Sequence, residues 1–301
     1  MKISTQTDHL ARLFGEEEAI RILAEVGFDA YDFSMFDTES DEYLLNRRDY
    51  EKEALRLKRI SEENNIECNQ SHAPFPTYLQ NNKEYNDRIF SLLVRSIEIT
   101  GLLGGKVVVI HPAVFPGHKI GENPLCFETN MELYNSLLPY ARDCNVKIAV
   151  ENMFNWYEGD DTASPATCST PEEFSAYLDA LWTLDADHFV ACLDIGHSEM
   201  KNTGGESAAK MIRTLGHDKL KALHIHDNNL VRDVHTLPFT QKINWDEVMT
   251  ALKDIQYDGD FTFEADNFIK QFPGELAKHA LKLKLEVGRY FIKKYDLNHN
   301  G

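Results

Sequence analysis

"LKALHIHDNNLVRDVHTLPF", residues 220–239, begins as a buried strand and then delivers His224, His226, Asp227, Asp233 and His235 within a dozen positions. Buried imidazoles and carboxylates are costly unless each has a partner, so these side chains need a common object. Successive strand residues point to opposite faces, which puts Ala222, His224 and His226 on one side. The same alternation recurs along the chain. In "KIAVE" (147–151) Ala149 and Glu151 oppose Ile148 and Val150, and in "FTFE" (261–264) Thr262 and Glu264 oppose Phe261 and Phe263. "VACLD" (190–194) aligns Val190, Cys192 and Asp194, and "VVVIH" (107–111) aligns Val107, Val109 and His111.

Working outward, strands are expected at 2–7, 28–35, 66–72, 106–111, 147–153, 189–194, 219–226 and 260–265, with amphipathic stretches such as "DYEKEALRLKRISEENN" between them. That helix is expected to bury Ala54, Leu55, Leu57 and Ile60. "STPEEF" offers Thr170 as N-cap, Pro171 at the first helical position and Glu173 as the capping-box acid. Asn244 in "NWDEV" caps another helix, "LLGGK" (102–106) reads as a helix end before a strand, and "EEE" (16–18) as a solvated helix start. Eight strands alternating with helices in 301 residues specify a single (β/α)8 TIM barrel over residues 1–301, its active site at the C-terminal ends of the strands. A doubly wound open sheet would normally advertise a glycine-rich phosphate turn, and the sequence has none.

Lys and Arg number 31 against 49 Asp and Glu, a formal net charge of −18. Such a chain repels phosphate backbones unless its positive charge is concentrated, and no basic run occurs, so nucleic acid is not the expected partner. Five cysteines without a C-x-x-C pair indicate neither a thiolate zinc site nor a disulfide framework. The start "MKISTQTDHL" lacks the apolar core of a signal peptide and no segment is apolar enough to span a bilayer. A reducing cytoplasm without a membrane partner is the expected setting. His9, His118, His188, His217, His279 and His299 have no motif context and read as surface or loop histidines.

Six strands end in an inward titratable group: His72, His111, Glu151, Asp194, His224 and Glu264. Converging carboxylates repel one another and take up protons unless a cation relieves them. Glu151, Asp194, His224 and Glu264 form an oxygen-rich set expected to hold one divalent ion, with Mn2+ or Mg2+ suited and Co2+ or Zn2+ as alternatives. A hydrogen-bonded network without metal is the bland alternative. Residues 152–170 read as a long polar loop. Its Trp156 and Tyr157 either stack on a sugar ring or apolar aglycone as a lid, or pack on the barrel rim or a partner subunit.

Taken in order, "SHAPF" (71–75), "IHP" (110–112), "VENM" (150–153), "LDIGH" (193–197), "HIHD" (224–227), "DVH" (233–235) and "FEA" (263–265) resemble the xylose isomerase-like TIM-barrel superfamily. That group includes sugar phosphate isomerases and epimerases, ketose 3-epimerases, inosose dehydratases and endonuclease IV. The resemblance implies the same four metal ligands, with Glu151 and Glu264 as the acid/base pair on opposite faces of the substrate. It implies that His197 contacts substrate oxygens, while His72, His111, His226, Asp233 and His235 touch substrate or support the ligands. The implied activity is a metal-dependent isomerase or epimerase of a ketose or sugar derivative. Glu151 would remove a proton to leave a metal-bound enediolate, and Glu264 would return one.

A lyase or dehydratase of a keto-sugar, of the inosose dehydratase or C-glycoside deglycosidase kind, shares that proton abstraction and differs in expelling a β-substituent. Endonuclease IV competes, because His72, His111, Glu151, Asp194, His197, His224, Asp233, His235 and Glu264 match its three-zinc set; the acidic balance argues against it. Many relatives carry Pro-Gly-x-Gly after the seventh strand. Here "HTLPFTQKINW" puts Phe239 and Gln241 in the glycine places, which implies a bulkier turn at the mouth. Barrels of this size often pair through their loops, so a homo-oligomer is compatible with the reading.

Overall fold

The eight expected strands close into a ring. A computed structural model describes residues 1–157 and 162–297. The strands are β1 (Ile3–Thr5), β2 (Ala30–Ser34), β3 (Glu67–His72), β4 (Val107–Ile110), β5 (Lys147–Glu151), β6 (Phe189–Asp194), β7 (Leu220–His224) and β8 (Phe261–Phe263). β2 to β7 form one continuous sheet in chain order, each pair parallel. β1 pairs in parallel with β8, Ile3 opposite Phe261. Single parallel bridges complete the circle, Gln6 to Asp32 between β1 and β2 and Ile225 to Phe263 between β7 and β8.

Both faces of each strand are covered, which is why the strands read as apolar runs. Val109, Ala149, Val190, Cys192 and Ala222 fill the lumen as a separate apolar cluster. Their alternates Val108, Ile110, Ile148, Val150, Leu193, Leu223, Phe261 and Phe263 belong to the larger core under the outer helices. The small lumen residues leave the space above them to the side chains at the strand ends.

The longer helices among the described residues are α1 (Glu16–Val26), α2 (Tyr50–Glu63), α3 (Lys83–Leu103), α4 (Pro124–Cys144), α5 (Pro171–Asp185), α6 (Ala208–Lys219), α7 (Trp245–Asp254) and α8 (Ala277–Tyr295), with shorter ones at Asp8–Phe14, Ile195–Glu199 and Asp266–Ile269. α2 buries Ala54, Leu57 and Ile60, but Leu55 is 42% exposed. A rotation of about 100° per residue carries Leu55 off the stripe. Gly104 ends α3 in the left-handed region at φ 90°, as its glycine pair implied.

Thr170 caps α5 by accepting from Glu173 N at 3.2 Å. The reciprocal half of the box is absent, because Glu173 accepts from Cys168 N at 3.0 Å and meets His118 Nε2 at 3.0 Å. His118 is therefore a buried partner of Glu173 and not a surface histidine. Asn244 precedes α7 without a side-chain cap, its Nδ2 donating to Glu247 Oε1 at 2.8 Å instead. Nor is the acidic start of α1 wholly solvated: burial pushes the Glu16 carboxyl up to about 7.

The segment expected as a polar loop contains an antiparallel hairpin, Phe154–Trp156 against Ala163–Pro165. Residues 158–161 of that segment and His299 lie outside the described residues. No helix among the described residues is long and apolar enough to cross a membrane. All five cysteines are free.

α8 seals the β1–β8 seam. Lys284, fully buried, reaches Thr5 Oγ1 at 3.1 Å and Asp266 Oδ1 at 3.4 Å. A Cβ on Gly288 would stand 3.0 Å from the Ile3 side chain and 3.1 Å from Phe263. Gly288→Val should therefore lower stability by about 1–3 kcal/mol through overpacking, read by urea denaturation. An unchanged midpoint would mean that α8 does not approach the seam this closely.

Candidate metal centre

Glu151, Asp194 and His224 are the last residues of β5, β6 and β7, and Glu264 follows β8 directly. Parallel strands of a closed barrel carry such neighbours to one end. One ligand-capable atom of each lies within 4.8 Å of those of the other three, and all four residues are buried. His224 Nδ1 stands 3.3 Å from Glu151 Oε1 and 3.1 Å from Glu264 Oε2.

Two further groups flank this quartet. On one side His111 Nε2 and His72 Nε2 lie 3.1 Å and 3.5 Å from Glu151 Oε2, so the two Glu151 oxygens serve different groups. On the other side His197, His226, Asp233 and His235 converge. There His235 Nε2 is 2.7 Å and His197 Nε2 3.7 Å from Asp233 Oδ2. Glu151 Oε2, His224 Nδ1 and Asp233 Oδ1 are buried without a hydrogen-bond partner among the described residues. Ligand atoms about 2.1 Å from a shared four-coordinate ion stand roughly 3.4 Å apart. Close contacts lacking hydrogen-bond alignment fit a donor set awaiting a cation.

Three histidines are held in one orientation. The Nδ1 of His72 meets Ala73 O at 2.8 Å, that of His197 meets Asn152 O at 2.9 Å, and that of His235 meets Glu264 O at 2.9 Å. A proton committed to a backbone carbonyl through Nδ1 leaves the Nε2 lone pair facing the site. His226 differs: its ring is fully buried, its Nε2 donates to both Asp194 oxygens at 3.0 and 3.1 Å, and it stacks on His235 at 3.9 Å. A Cβ on Gly196 would lie 1.9 Å from His226 Cε1, so the glycine of "LDIGH" makes room for that ring.

Sequence reading missed Gln6, Asp32, Asn152 and Gly196. Gln6 Nε2 donates to Glu264 Oε1 at 2.6 Å, and Asp32 Oδ2 faces His224 Nε2 at 3.6 Å while accepting from Gln70 Nε2 at 3.1 Å. Asn152 clasps Asp194, donating to its carbonyl at 3.0 Å and accepting from its N–H at 2.8 Å. An inward carboxylate in "AYDFS" was a usable signal for Asp32; Gln6 carried none. Asp227, prominent in the opening stretch, accepts from Gln241 N, Ile243 N and Trp245 Nε1 and so ties down the loop carrying Asp233 and His235. Trp156 stands 39% exposed on the hairpin, its ring against Phe154, with the Arg232 guanidinium 5.9 Å from the ring centre.

Charge compensates charge throughout the cluster. Burial would raise Glu151, yet His224 and His111 hold it well below the carboxylate range, and His197 and His226 likewise bring Asp194 to about 2. Burial dominates at Glu264 and raises it. His235 runs the other way: burial would lower it, but Asp233 and Glu264 lift it to about 10. The two glutamates nearest His224 are thus shifted in opposite directions.

The family model described as xylose isomerase-like TIM barrel matches residues 20–285. An uncharacterized protein of Methanocaldococcus jannaschii is 29% identical over 277 residues, covering 88% of this chain and 83% of that one. A crystal structure of D-psicose 3-epimerase in the presence of D-fructose superposes with TM-score 0.72 at 15% identity, over 97% of this chain and 99% of that one. A crystal structure of the IolI protein with a bound zinc atom gives TM-score 0.72 at 18% identity, over 98% and 99%. At these identities the two structures share the fold.

The protonation pattern predicts opposite pH profiles for the metal-free and metal-loaded chain. A folded His235 at about 10, against its ordinary 6.5, contributes stability fully present below pH 6.5 and lost as pH rises towards 10. A bound cation needs His224, itself held well above its ordinary value in the metal-free chain, as the neutral imidazole, so Mn2+ or Zn2+ affinity should rise with pH while the metal-free protein softens. Thermal melts with and without EDTA, paired with calorimetric metal titrations, check this. Affinity that falls with rising pH would remove His224 from the ligand set.

Proposed function

The chain belongs to the xylose isomerase-like TIM-barrel family, and we propose that it is a divalent-metal-dependent isomerase or epimerase of a ketose or related sugar derivative. The observation that carries this is the convergence of Glu151, Asp194, His224 and Glu264 at the mouth of the barrel, their ligand-capable atoms within 4.8 Å of one another and both glutamates against His224 Nδ1 at 3.3 and 3.1 Å. Glu151, Asp194, His224 and Glu264 are the residues that would hold the ion, a set suited to Mn2+ or Mg2+ by its three carboxylates. When bound, a divalent ion supplies Lewis acidity to a carbonyl and a neighbouring hydroxyl, acidifying the C–H between them.

Glu151 accepts that proton as general base. Glu264 returns a proton to the opposite face of the same carbon for epimerisation, or to the neighbouring carbon for isomerisation. Gln6 fixes the Glu264 carboxyl for that transfer through its 2.6 Å bond to Oε1. Asp32 aligns the His224 ring from behind. Expulsion of a β-substituent by a lyase would use the same first step.

A second reading keeps more than one ion. His72 and His111 with Glu151, and His197 and His235 with Asp233, are arranged as histidine–carboxylate groups whose Nε2 atoms face the carboxylates. That favours a multinuclear centre of the endonuclease IV kind, while the charge of −18 disfavours a duplex-binding surface. Elemental analysis distinguishes them, one ion per chain for the sugar enzyme and three for the nuclease.

Glu151→Gln should abolish solvent-deuterium incorporation into a substrate ketose, and Glu264→Gln should slow its turnover about 100- to 10,000-fold. Metal content, measured alongside, separates lost chemistry from lost ion. Deuterium exchange surviving in metal-loaded Glu151→Gln would sink the assignment of the base.

A further inference from the structure

A groove of about 300 Å³ opens beside the quartet, between the loops that follow β3 and β4 and the hairpin after β5. Phe75, Pro112, Val114, Met153 and Phe154 form its walls, and His111 closes its inner end. Phe75 is 48% exposed and lies stacked on His111, ring centres 4.8 Å apart. Phe154 packs edge-on to His197 at 4.8 Å. The groove therefore begins on side chains of the candidate metal centre and runs outward over apolar surface.

We infer that this groove is a subsite for an aromatic substituent, so that the substrate is a keto-sugar bearing an aryl group and not an unsubstituted ketose. The inference rests on the sugar-enzyme reading and names its substrate class. Of the polar lining, Asn155 is engaged by Trp156 N at 3.0 Å and Phe115 O at 3.4 Å, and Thr77 offers one buried hydroxyl. Apart from the Thr77 and Tyr78 hydroxyls and the His111 ring, sugar hydroxyls placed here would lose water without gaining side-chain partners. A flat apolar ring between Phe75 and Phe154 loses nothing and gains stacking. Size agrees, since an apolar cavity of about 150 Å³ accepts benzene and this groove has twice that volume.

The test uses the full-length, metal-loaded protein labelled with 13C-methyl methionine, the Met153 signal being identified with Met153→Leu. 2-Naphthol should shift the Met153 methyl, and methyl β-D-glucopyranoside should not. 2-Naphthyl β-D-glucopyranoside should bind at least about tenfold more tightly than the methyl glycoside, the gain from burying roughly 60 Å² of apolar surface at about 25 cal/mol per Å². Val114→Asp, and independently Leu79→Asp, at a second apolar residue that lines the groove, should erase both effects while metal content stays unchanged. An unmoved Met153 signal, or equal affinity for the two glycosides, overturns the subsite. Failure of the parent reading looks different: elemental analysis would find no bound divalent metal, whatever Met153 does.

Discussion

Three carboxylates forced into one buried volume are the constraint on which the rest depends. Glu151, Asp194 and Glu264 are brought together by closure of the barrel, since each ends or directly follows a strand of the same ring. Repulsion between them in a buried site would be several times stronger than in water. Imidazoles relieve it from every side: His224 between Glu151 and Glu264, His111 and His72 on the far oxygen of Glu151, His226 on Asp194. The site therefore combines close carboxylate–imidazole contacts with orphaned donor and acceptor atoms. That combination makes proton release and cation uptake two sides of one equilibrium.

Orientation is supplied one layer out. Backbone carbonyls fix His72, His197 and His235, and Asn152 fixes the backbone on both sides of the Asp194 peptide. The loop bearing Asp233 and His235 is held under tension. Leu230, His235 and Phe239 all adopt left-handed φ values, 70°, 48° and 75°. Bulky side chains rarely do so, and each costs of order 1–3 kcal/mol. The Phe239 ring offsets the strain by packing 4.9 Å from Phe291 and 5.8 Å from Tyr290 on α8. The bulkier turn thus pins the loop to the last helix, and with it the Asp233–His235 pair.

The mouth of the barrel divides by chemistry. Polar groups concentrate at the strand ends, whereas Phe75, Phe154 and Trp156 stand beside them on the loops. Loops on a rigid scaffold are where such barrels vary their substrates. The hairpin after β5 is the element that brings Phe154 against His197. It read as an irregular polar loop because its strands are only three residues long.

Periodicity by itself determined the eight strands, the inward face of each and the barrel they build. Those properties follow from local geometry: a period of two, apolar runs covered on both sides, and caps at helix ends. The same alternation selected Glu151, Asp194, His224 and Glu264, because each continues an inward-facing series. Only the tertiary structure decided what surrounds them. Gln6 reaches Glu264 across 258 positions of sequence, Asp32 faces His224 across the barrel, and Glu173 turns from its own helix cap to His118. These contacts arise from ring closure and from which loop lands on which, and no local pattern encodes a distance between residues so far apart in the chain.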